Sequence, residues 1–446
     1  MSRRAAIVNA KSETGVVAAM GQDGEGIVRE GKTAFVAGAL PGETIRFRRV
    51  RRHRQYDEAR LEQIVSPAAS RVAPRCAHFE ICGGCALQHL ENSAQLRHKQ
   101  QQLAESLERL AQLSPQRWLQ PIASGAWNYR RRARLGVKYV TRKGRVLVGF
   151  RERATNLVAS LERCEVLAPP IDGLIAPLAA LIQQLSIRER LPQIEVSVGE
   201  NTSALVLRVL EAPSEQDCTL LREFEAQHGI RFFLQSGGLD TVRALSGEPP
   251  SLFYTLPAAD LELEFGPTDF IQINAGANRA LVAAAAELLK LDAESRVLDL
   301  YCGLGNFSLA LARRARSVVG IEGDAALIAR ARANALRNGI DNAQFFQGDL
   351  SASDLSGAAW LQQRYTHVLL DPPRAGAREM LAPIARLAPQ RVLYVSCHPG
   401  TLARDLGILV HGHGFALLAA GVVDMFAHTA HVESLALLRP GGGHGG

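Results

Sequence analysis

The sequence predicts an α/β chain in three parts. These are a small β-barrel over 10–67, a central α+β region over 75–264, and a doubly wound, Rossmann-like domain over 265–440. Three observations carry this reading. From Ser295 onward, apolar strand-like runs ending in Gly or an acid alternate with Ala-rich helical stretches (RVLDLYCGLGNFSLALA, SVVGIEGD, AQFFQGDL, HVLLDPPR, RVLYVSC). From Glu13 to Ile64, short strand-like runs are separated by turns containing Gly and Pro, the spacing of a small barrel. Between these regions lies a stretch with three cysteines, followed by mixed helical and alternating patterns. A length of 446 residues suits about three domains.

In chain order, strands are expected over 26–29, 33–36, 44–50 and 57–64, joined by turns such as GQDGEG and LPGE. SPAASRVAP (66–74) has the composition of a linker. Leu96, Leu103, Leu107, Leu110 and Leu113 recur at helical spacing and predict a helix over 95–113. Residues 128–159 alternate like hairpins. A helix over 174–185 tolerates Pro177 in its first turn, and 193–212 and 230–239 return to strands. The tail GGGHGG is disordered by composition.

Hydrophobic residues at 47% and charged residues at 21% describe a chain that buries a core. The basic N-terminus lacks an apolar h-region and no run of about 18 apolar residues occurs. Neither a secretory signal nor a membrane span is therefore expected, which places the protein in the cytoplasm. Seven cysteines in such a chain point to metal or thiol chemistry and away from a disulfide framework. The net charge of +7 is focused. Residues 46–54 hold six Arg and no acid, and 130–153 hold ten Lys/Arg against Glu152, so the two segments carry +15 and the remainder −8. As a strand, 46–54 is basic on both faces, which predicts an edge or a protruding turn. Tyr129 and Tyr139 interleave with the second segment, a combination suited to stacking and phosphate contact with single-stranded RNA.

The stretch CAHFEICGGC spaces Cys76, Cys82 and Cys85 as C-x5-C-x2-C, which predicts a metal site. Spacing leaves zinc and iron–sulfur open. Cys164 is the candidate fourth ligand and Cys218 the alternative, with His78 and His89 as zinc-type donors.

VLDLYCGLG (297–305) is an apolar strand followed by a Gly turn that opens a helix, and Gly303 and Gly305 allow close backbone approach to a ligand. The next strand ends in Glu322, 23 residues after Asp299, where a carboxylate can accept both hydroxyls of a ribose. Asp349 and Asp371 end the third and fourth strands. This arrangement resembles the class I S-adenosylmethionine-dependent methyltransferases. The resemblance implies that Glu322 holds ribose, that Asp349 lies near adenine, and that Tyr301, Gly303 and Asn306 line the methionine end.

DPPR (371–374) is a rigid turn. The following strand ends in SCHPGTLARD, which brings Cys397 to the same edge, and HVESLALL carries Glu433 near its start. C5 of a pyrimidine is a poor nucleophile until a thiolate adds at C6, and a base must then remove the C5 proton. Cys397 and Glu433 fit those roles, and Asp371 fits orientation of the thiol or contact with the uracil edge. Cys302, inside the Gly turn, is the rival thiol and reads as a small residue packed beneath the cofactor. Pro399 follows the Cys, where cytosine C5-methyltransferases of DNA place a Pro before it, and this points to uracil.

DLYCGLGNFSL, DPPR, YVSCHPGTLARD and HVESLALL together resemble the RNA (uracil-5-)-methyltransferase family, from whose SCNP this chain departs with SCHP. DFIQIN (269–274) matches that family's F-x-Q-x-N and implies that Phe270 and Gln272 contact the substrate base or the cofactor. GQDGEGIVREGKTAFVAGALPGE resembles a TRAM domain, which implies that the barrel is OB-like and binds RNA. CGGC-x-LQH resembles the iron–sulfur subset of the family, implying a [4Fe-4S] cluster on Cys76, Cys82, Cys85 and Cys164. The combination is most similar to the bacterial branch of the family that acts on 23S rRNA. It implies an enzyme that uses S-adenosylmethionine to methylate C5 of a uridine, position 1939 in standard numbering, in an unfolded or single-stranded segment of 23S rRNA, and a monomer is expected. Cys397, Glu433 and Asp371 would be catalytic, Gln272 and Asp371 would also face the cofactor, and Arg130 and Arg132 would contact substrate. The alternatives are a different rRNA or tRNA uridine, or a non-catalytic RNA-binding ribosome-assembly factor. A radical methylthiotransferase also pairs a TRAM with a Cys triplet, but spaces it C-x3-C-x2-C and carries its TRAM at the other end.

Overall fold

Alternation of buried and exposed residues closes five strands, Ser12–Met20, Gly26–Val28, Ala34–Ala37, Thr44–Arg52 and Asp57–Ser66, into a barrel in the computed structural model of the chain. The structure describes residues 6–7, 11–248, 251–352, 355 and 357–441, so all of the GGGHGG tail after Gly441 lies outside the described residues. Val17, Val28, Val36, Ile45 and Phe47 fill the barrel. Thr44–Arg52 pairs with Ser12–Met20 on one side and Asp57–Ser66 on the other. The prediction that the basic run 46–54 forms an edge or protruding turn is therefore corrected. Its inward face is Ile45, Phe47 and a buried Arg49, and Arg49 is tolerated because its guanidinium lies 2.9 Å from Glu13 and 3.0 Å from Asp57, with Lys32 also on Asp57 at 2.6 Å. Burial alone would raise the Asp57 carboxyl, but the hydrogen bonds from Lys32 and Arg49 outweigh it and hold the group below its usual range. Arg48 and Arg51 pair with Glu62 and Glu58 on the neighbouring strand. Much of this segment's positive charge is thus neutralised locally.

Contacts divide the chain into two compact units. The first comprises Met1–Gln102, Glu152–Thr155 and Phe426–His431; the second holds the rest. In the first unit the segment 66–74 is irregular but anchored, because Arg71 bonds the buried Glu43 carboxylate at 2.5 and 2.9 Å and the Gly38 carbonyl at 2.6 Å. Helix Asn92–Ala111 matches the leucine spacing only in part. Leu103 and Leu107 are buried, Leu110 is 63% exposed, and the buried face continues towards the N-terminus through Gln95 and Lys99.

The second unit contains two large sheets. One runs Arg243–Ala244, Ile230–Gln235, Ser203–Arg208, Gln193–Val198, Arg132–Val140, Arg145–Gly149. Its Arg132–Val140 hairpin turns Arg134 and Lys138 to solvent, while Tyr129, predicted to stack on RNA, is buried. The other runs Ala343–Gln347, Ser317–Glu322, Arg296–Leu300, His367–Leu370, Arg391–Ser396, Glu433–Pro440, Phe415–Val423, Arg117–Trp118. Its first five strands are parallel, and Glu433–Pro440 enters antiparallel between Arg391–Ser396 and Phe415–Val423. Strand order reverses at Arg296–Leu300, the position where a doubly wound sheet opens a ligand crevice at its carboxyl edge. Among the described residues no helix is long and apolar enough to cross a membrane.

Arg49→Met should destabilise the barrel by about 3 kcal/mol, because it strips a buried carboxylate of one of its two cations. Urea unfolding of the full chain checks this, and an unchanged midpoint would show the ion cluster to be dispensable.

Candidate active site

The Gly turn after Arg296–Leu300 is left-handed at three positions: Tyr301 (φ 64°), Gly303 (φ 55°) and Gly305 (φ 95°). A Cβ on Gly305 would lie 3.1 Å from Leu309. Glu322, at the end of the adjacent strand, accepts the Gly303 N–H at 3.1 Å and the Asp324 N–H at 3.1 Å, so its carboxylate is fixed across the turn with lone pairs remaining. Asp349 is exposed, and hydrogen bonds from Ser351 hold it below the usual carboxylate range. Asn306 is engaged within the protein. It exchanges hydrogen bonds with Asn278 at 2.8 and 2.9 Å and accepts from the Tyr254 hydroxyl at 2.9 Å. Cys302 is buried, and burial pushes its thiol well up, as suits a packing residue.

Asp371, Cys397 and Glu433 meet at the same edge. Ser396 pairs with Ser434, and one step beyond that pair stand Cys397 and Glu433. Asp371 follows His367–Leu370, the next strand along. Its turn is tied to the helix Pro399–Gly407 by three bonds: Thr401 Oγ1 to the Arg374 carbonyl (3.1 Å), Arg404 to the Ala375 carbonyl (2.8 Å), and the Ala377 N–H to Asp405 (2.8 Å). His398 caps that helix, its Nδ1 accepting the Thr401 N–H at 3.2 Å. Electrostatics report the same proximity. Burial pushes the Cys397 thiol up to about 11, with Glu433 and Asp371 adding to the rise and Arg374 opposing it. Burial raises Asp371 to about 7 against the hydrogen bond from Gln272, and burial plus the charge of Asp371 raise Glu433 well above the usual range.

The DFIQIN segment supplies the wall. Gln272 Nε2 donates to Asp371 at 3.1 Å, Phe270 is 66% exposed, and Asn274 caps helix Ala275–Leu289. Arg132 reaches this segment by donating to the carbonyls of Pro267 (2.7 Å) and Thr268 (3.3 Å), with Glu195 at 2.7 Å, so it positions the wall from within. Arg130 lies over Phe150, 5.5 Å from the ring centroid, and donates to the Arg132 carbonyl. Two residues here escaped the sequence reading. Arg131 donates to the Gln272 carbonyl at 2.8 Å and stacks 4.3 Å from the centroid of Tyr254, and Tyr254 in turn bonds Asn306. The signal for Arg131 was hidden inside a basic run; Tyr254 had none.

In the first unit, Cys76, Cys82 and Cys85 share one loop. The Gly84 N–H lies 3.4 Å from Cys82 Sγ, and Arg153 donates to the carbonyls of Cys85 (2.6 Å) and Cys82 (3.4 Å) while covering the Phe79 ring. Cys164 is buried in the second unit. Among the described residues no three His, Cys, Asp or Glu side chains are arranged to hold a metal ion.

A profile of the tRNA (Uracil-5-)-methyltransferase family matches residues 91–440. Curated relatives named 23S rRNA (uracil(1939)-C(5))-methyltransferase RlmD are similar over nearly the whole chain. The one from Xanthomonas axonopodis pv. citri is 47% identical over 422 residues, covering 94% of this chain and 95% of the relative. That from Nitrosospira multiformis is 46% identical over 429 residues, covering 95% and 97%. The fold is shared with the crystal structure of Pyrococcus abyssi tRNA (uracil-54, C5)-methyltransferase in complex with S-adenosyl-L-homocysteine, with a TM-score of 0.74, 23% identity and coverage of 96% of this chain and 100% of that one.

Asp299 gives the crevice a pH signature. It is fully buried, Ser308 donates to its Oδ2, and its Oδ1 has no hydrogen-bond partner among the described residues. Burial raises its carboxyl from 3.8 to about 7; the Ser308 bond opposes the rise and Asp371 adds to it. Because the folded value lies above the unfolded one, the associated stability is complete below about pH 4. It is lost as pH rises through about 7, by on the order of 4 kcal/mol. Asp299→Asn should therefore be more stable than the wild type at pH 8 and show a flatter profile in urea unfolding between pH 5 and pH 8. Parallel profiles would refute the assignment.

Proposed function

The chain belongs to the tRNA (uracil-5-)-methyltransferase family, and from that membership we propose that it methylates C5 of a uridine in 23S ribosomal RNA, at the position 1939 named for its relatives. S-adenosylmethionine supplies an electrophilic methyl group. The observation that carries the reading is the convergence of one thiol and two carboxyl groups at a single crevice edge, with Cys397 and Glu433 one register step beyond the Ser396–Ser434 pair.

In this mechanism the Cys397 thiol gives its proton to solvent, its sulfur bonds to C6 of the flipped-out base, and the C5=C6 π pair shifts to C5 as an enolate. The electron pair delivered to C5 would form the new C–CH3 bond as the sulfonium S–CH3 bond breaks, its pair leaving with the neutral thioether S-adenosylhomocysteine. Glu433 then removes the C5 proton, and the C6–S bond breaks to restore the aromatic ring. The raised thiol argues that deprotonation awaits positive charge in the crevice, supplied by Arg374 and the cationic cofactor. Gln272 and Asp371 bind at the boundary between base and cofactor. Glu322 takes the ribose hydroxyls and Asp349 the adenine side, while Tyr301, Gly303 and Asn306 shape the methionine end. Phe270 offers an exposed ring for base stacking. The barrel acts as a TRAM-type RNA module over 10–67. Residues 75–264 form an RNA-binding region, whose exposed Arg134 and Lys138 supply phosphate contacts and whose Arg130 and Arg132 support the substrate wall. Residues 265–440 form the catalytic domain. The enzyme works as a cytoplasmic monomer on a single-stranded or unfolded segment.

For a [4Fe-4S] cluster on Cys76, Cys82 and Cys85, with Cys164 as the fourth ligand implied by the sequence, the support is donor chemistry. Three thiols share one loop, with an N–H directed at one sulfur and a guanidinium beside them to favour thiolates. No step of the transfer needs an electron, so the cluster serves structure.

Cys397→Ala should abolish both methyl transfer and the covalent RNA adduct in a radiolabelled assay on unmodified rRNA fragments, whereas Glu433→Gln should let the adduct accumulate. Methylation by the Cys397→Ala protein would overturn the mechanism. Anaerobically purified protein should contain about four irons and four sulfides per chain, and Cys82→Ser should lose them; zinc in their place would refute the cluster.

A further inference from the structure

The connection between the antiparallel neighbours Phe415–Val423 and Glu433–Pro440 occupies residues 424–432. Two residues suffice to join such neighbours. The surplus is used in one place: Phe426–His431 belongs to the first compact unit, while Met425 and Val432 on either side belong to the second. Within the first unit these residues are held by the end of the cysteine-bearing loop and by the helix that follows it. The Ala86 and Leu87 N–H groups both donate to the His428 carbonyl, at 2.8 and 2.9 Å. The His428 N–H donates to Gln95 Oε1 at 3.0 Å, and Gln95 Nε2 donates back to the Leu87 and Leu90 carbonyls at 3.0 and 2.8 Å. One helical turn on, Lys99 Nζ donates to the Phe426 carbonyl at 2.9 Å. Gln95 and Lys99 are 2% and 1% exposed, and burying such groups is costly unless their bonds are made. His428 is in the left-handed region (φ 62°), a conformation that surrounding structure must enforce in a non-glycine residue.

We propose that the loop carrying Cys76, Cys82 and Cys85, through Gln95 and Lys99, anchors the 426–431 turn and so sets the position of Glu433, two residues downstream. Gln95 and Lys99 are positioning residues for removal of the C5 proton. This rests on the methyltransferase reading above and adds to it a task for the cysteine loop that is separate from RNA binding.

The test uses full-length Gln95→Ala and Lys99→Met with an rRNA fragment whose target uridine carries tritium at C5. Both variants should bind RNA within about twofold of wild type and still form the Cys397 adduct. They should release tritium at least tenfold more slowly, so that the covalent species accumulates on a denaturing gel and kcat falls with little change in KM. Wild-type tritium release in both variants, or lost RNA binding with normal adduct resolution, overturns the proposal. A measurement on the wild-type protein covers the case in which the variants do not fold. Amide hydrogen exchange at 426–431 should be as slow as in the first turns of Asn92–Ala111, and rapid exchange there overturns the anchor. If wild-type protein forms no adduct and releases no tritium, it is the methyltransferase reading that fails.

Discussion

The antiparallel entry of Glu433–Pro440 between two other strands is the constraint on which the crevice depends. A parallel doubly wound sheet delivers residues to its carboxyl edge only from strand C-termini, which accounts for Glu322, Asp371 and Cys397. A residue at the start of a strand can reach that edge only if the strand runs the other way. Glu433 does so because its strand is reversed and because Ser434 is registered with Ser396. A slip of one residue would turn Glu433 to the opposite face of the sheet and replace it with Ser434. The packing of Leu435 and Leu437, both buried, resists that slip.

Charge is divided in a way the totals conceal. Burial raises the carboxyls of Asp299, Asp371 and Glu433 in the crevice, while the exposed Asp349 stays low. In the barrel the buried Arg49 is paired with Glu13 and Asp57. The barrel satisfies this buried charge internally. The crevice instead gathers acids, the condition that favours a cationic ligand.

The doubly wound domain was legible because strand-end acids and Gly turns are local signals, and the convergence of Asp371 with Cys397 follows from strand order. The supporting residues were not. Arg131 and Arg132 read as part of a nucleic-acid patch because sequence records charge but not direction; in the fold they bond the carbonyls of Gln272, Pro267 and Thr268 from behind. Tyr129 read as a stacking residue for the same reason and is buried. The helix Asn92–Ala111 misled in the reverse sense. A leucine stripe located Leu103 and Leu107, but the buried face carries on through Gln95 and Lys99, which hydropathy assigns to solvent. Polar residues enter a core only where a partner group fixed by tertiary structure awaits them, here the backbone of Phe426 and His428, more than 300 residues away.

A site made this way is poised, with its ligand part of its stability. Buried acids whose carboxyls are raised weaken the folded state above about pH 7, and positive charge beside them would lower their pKa values and return that free energy as binding. The same change acts on Cys397, whose thiol is held up partly by the acids around it. Under the proposed mechanism, cofactor binding and activation of Cys397 are two consequences of one electrostatic event. In that mechanism the same rise favours the protonated Cys397 thiol until positive charge stands beside it.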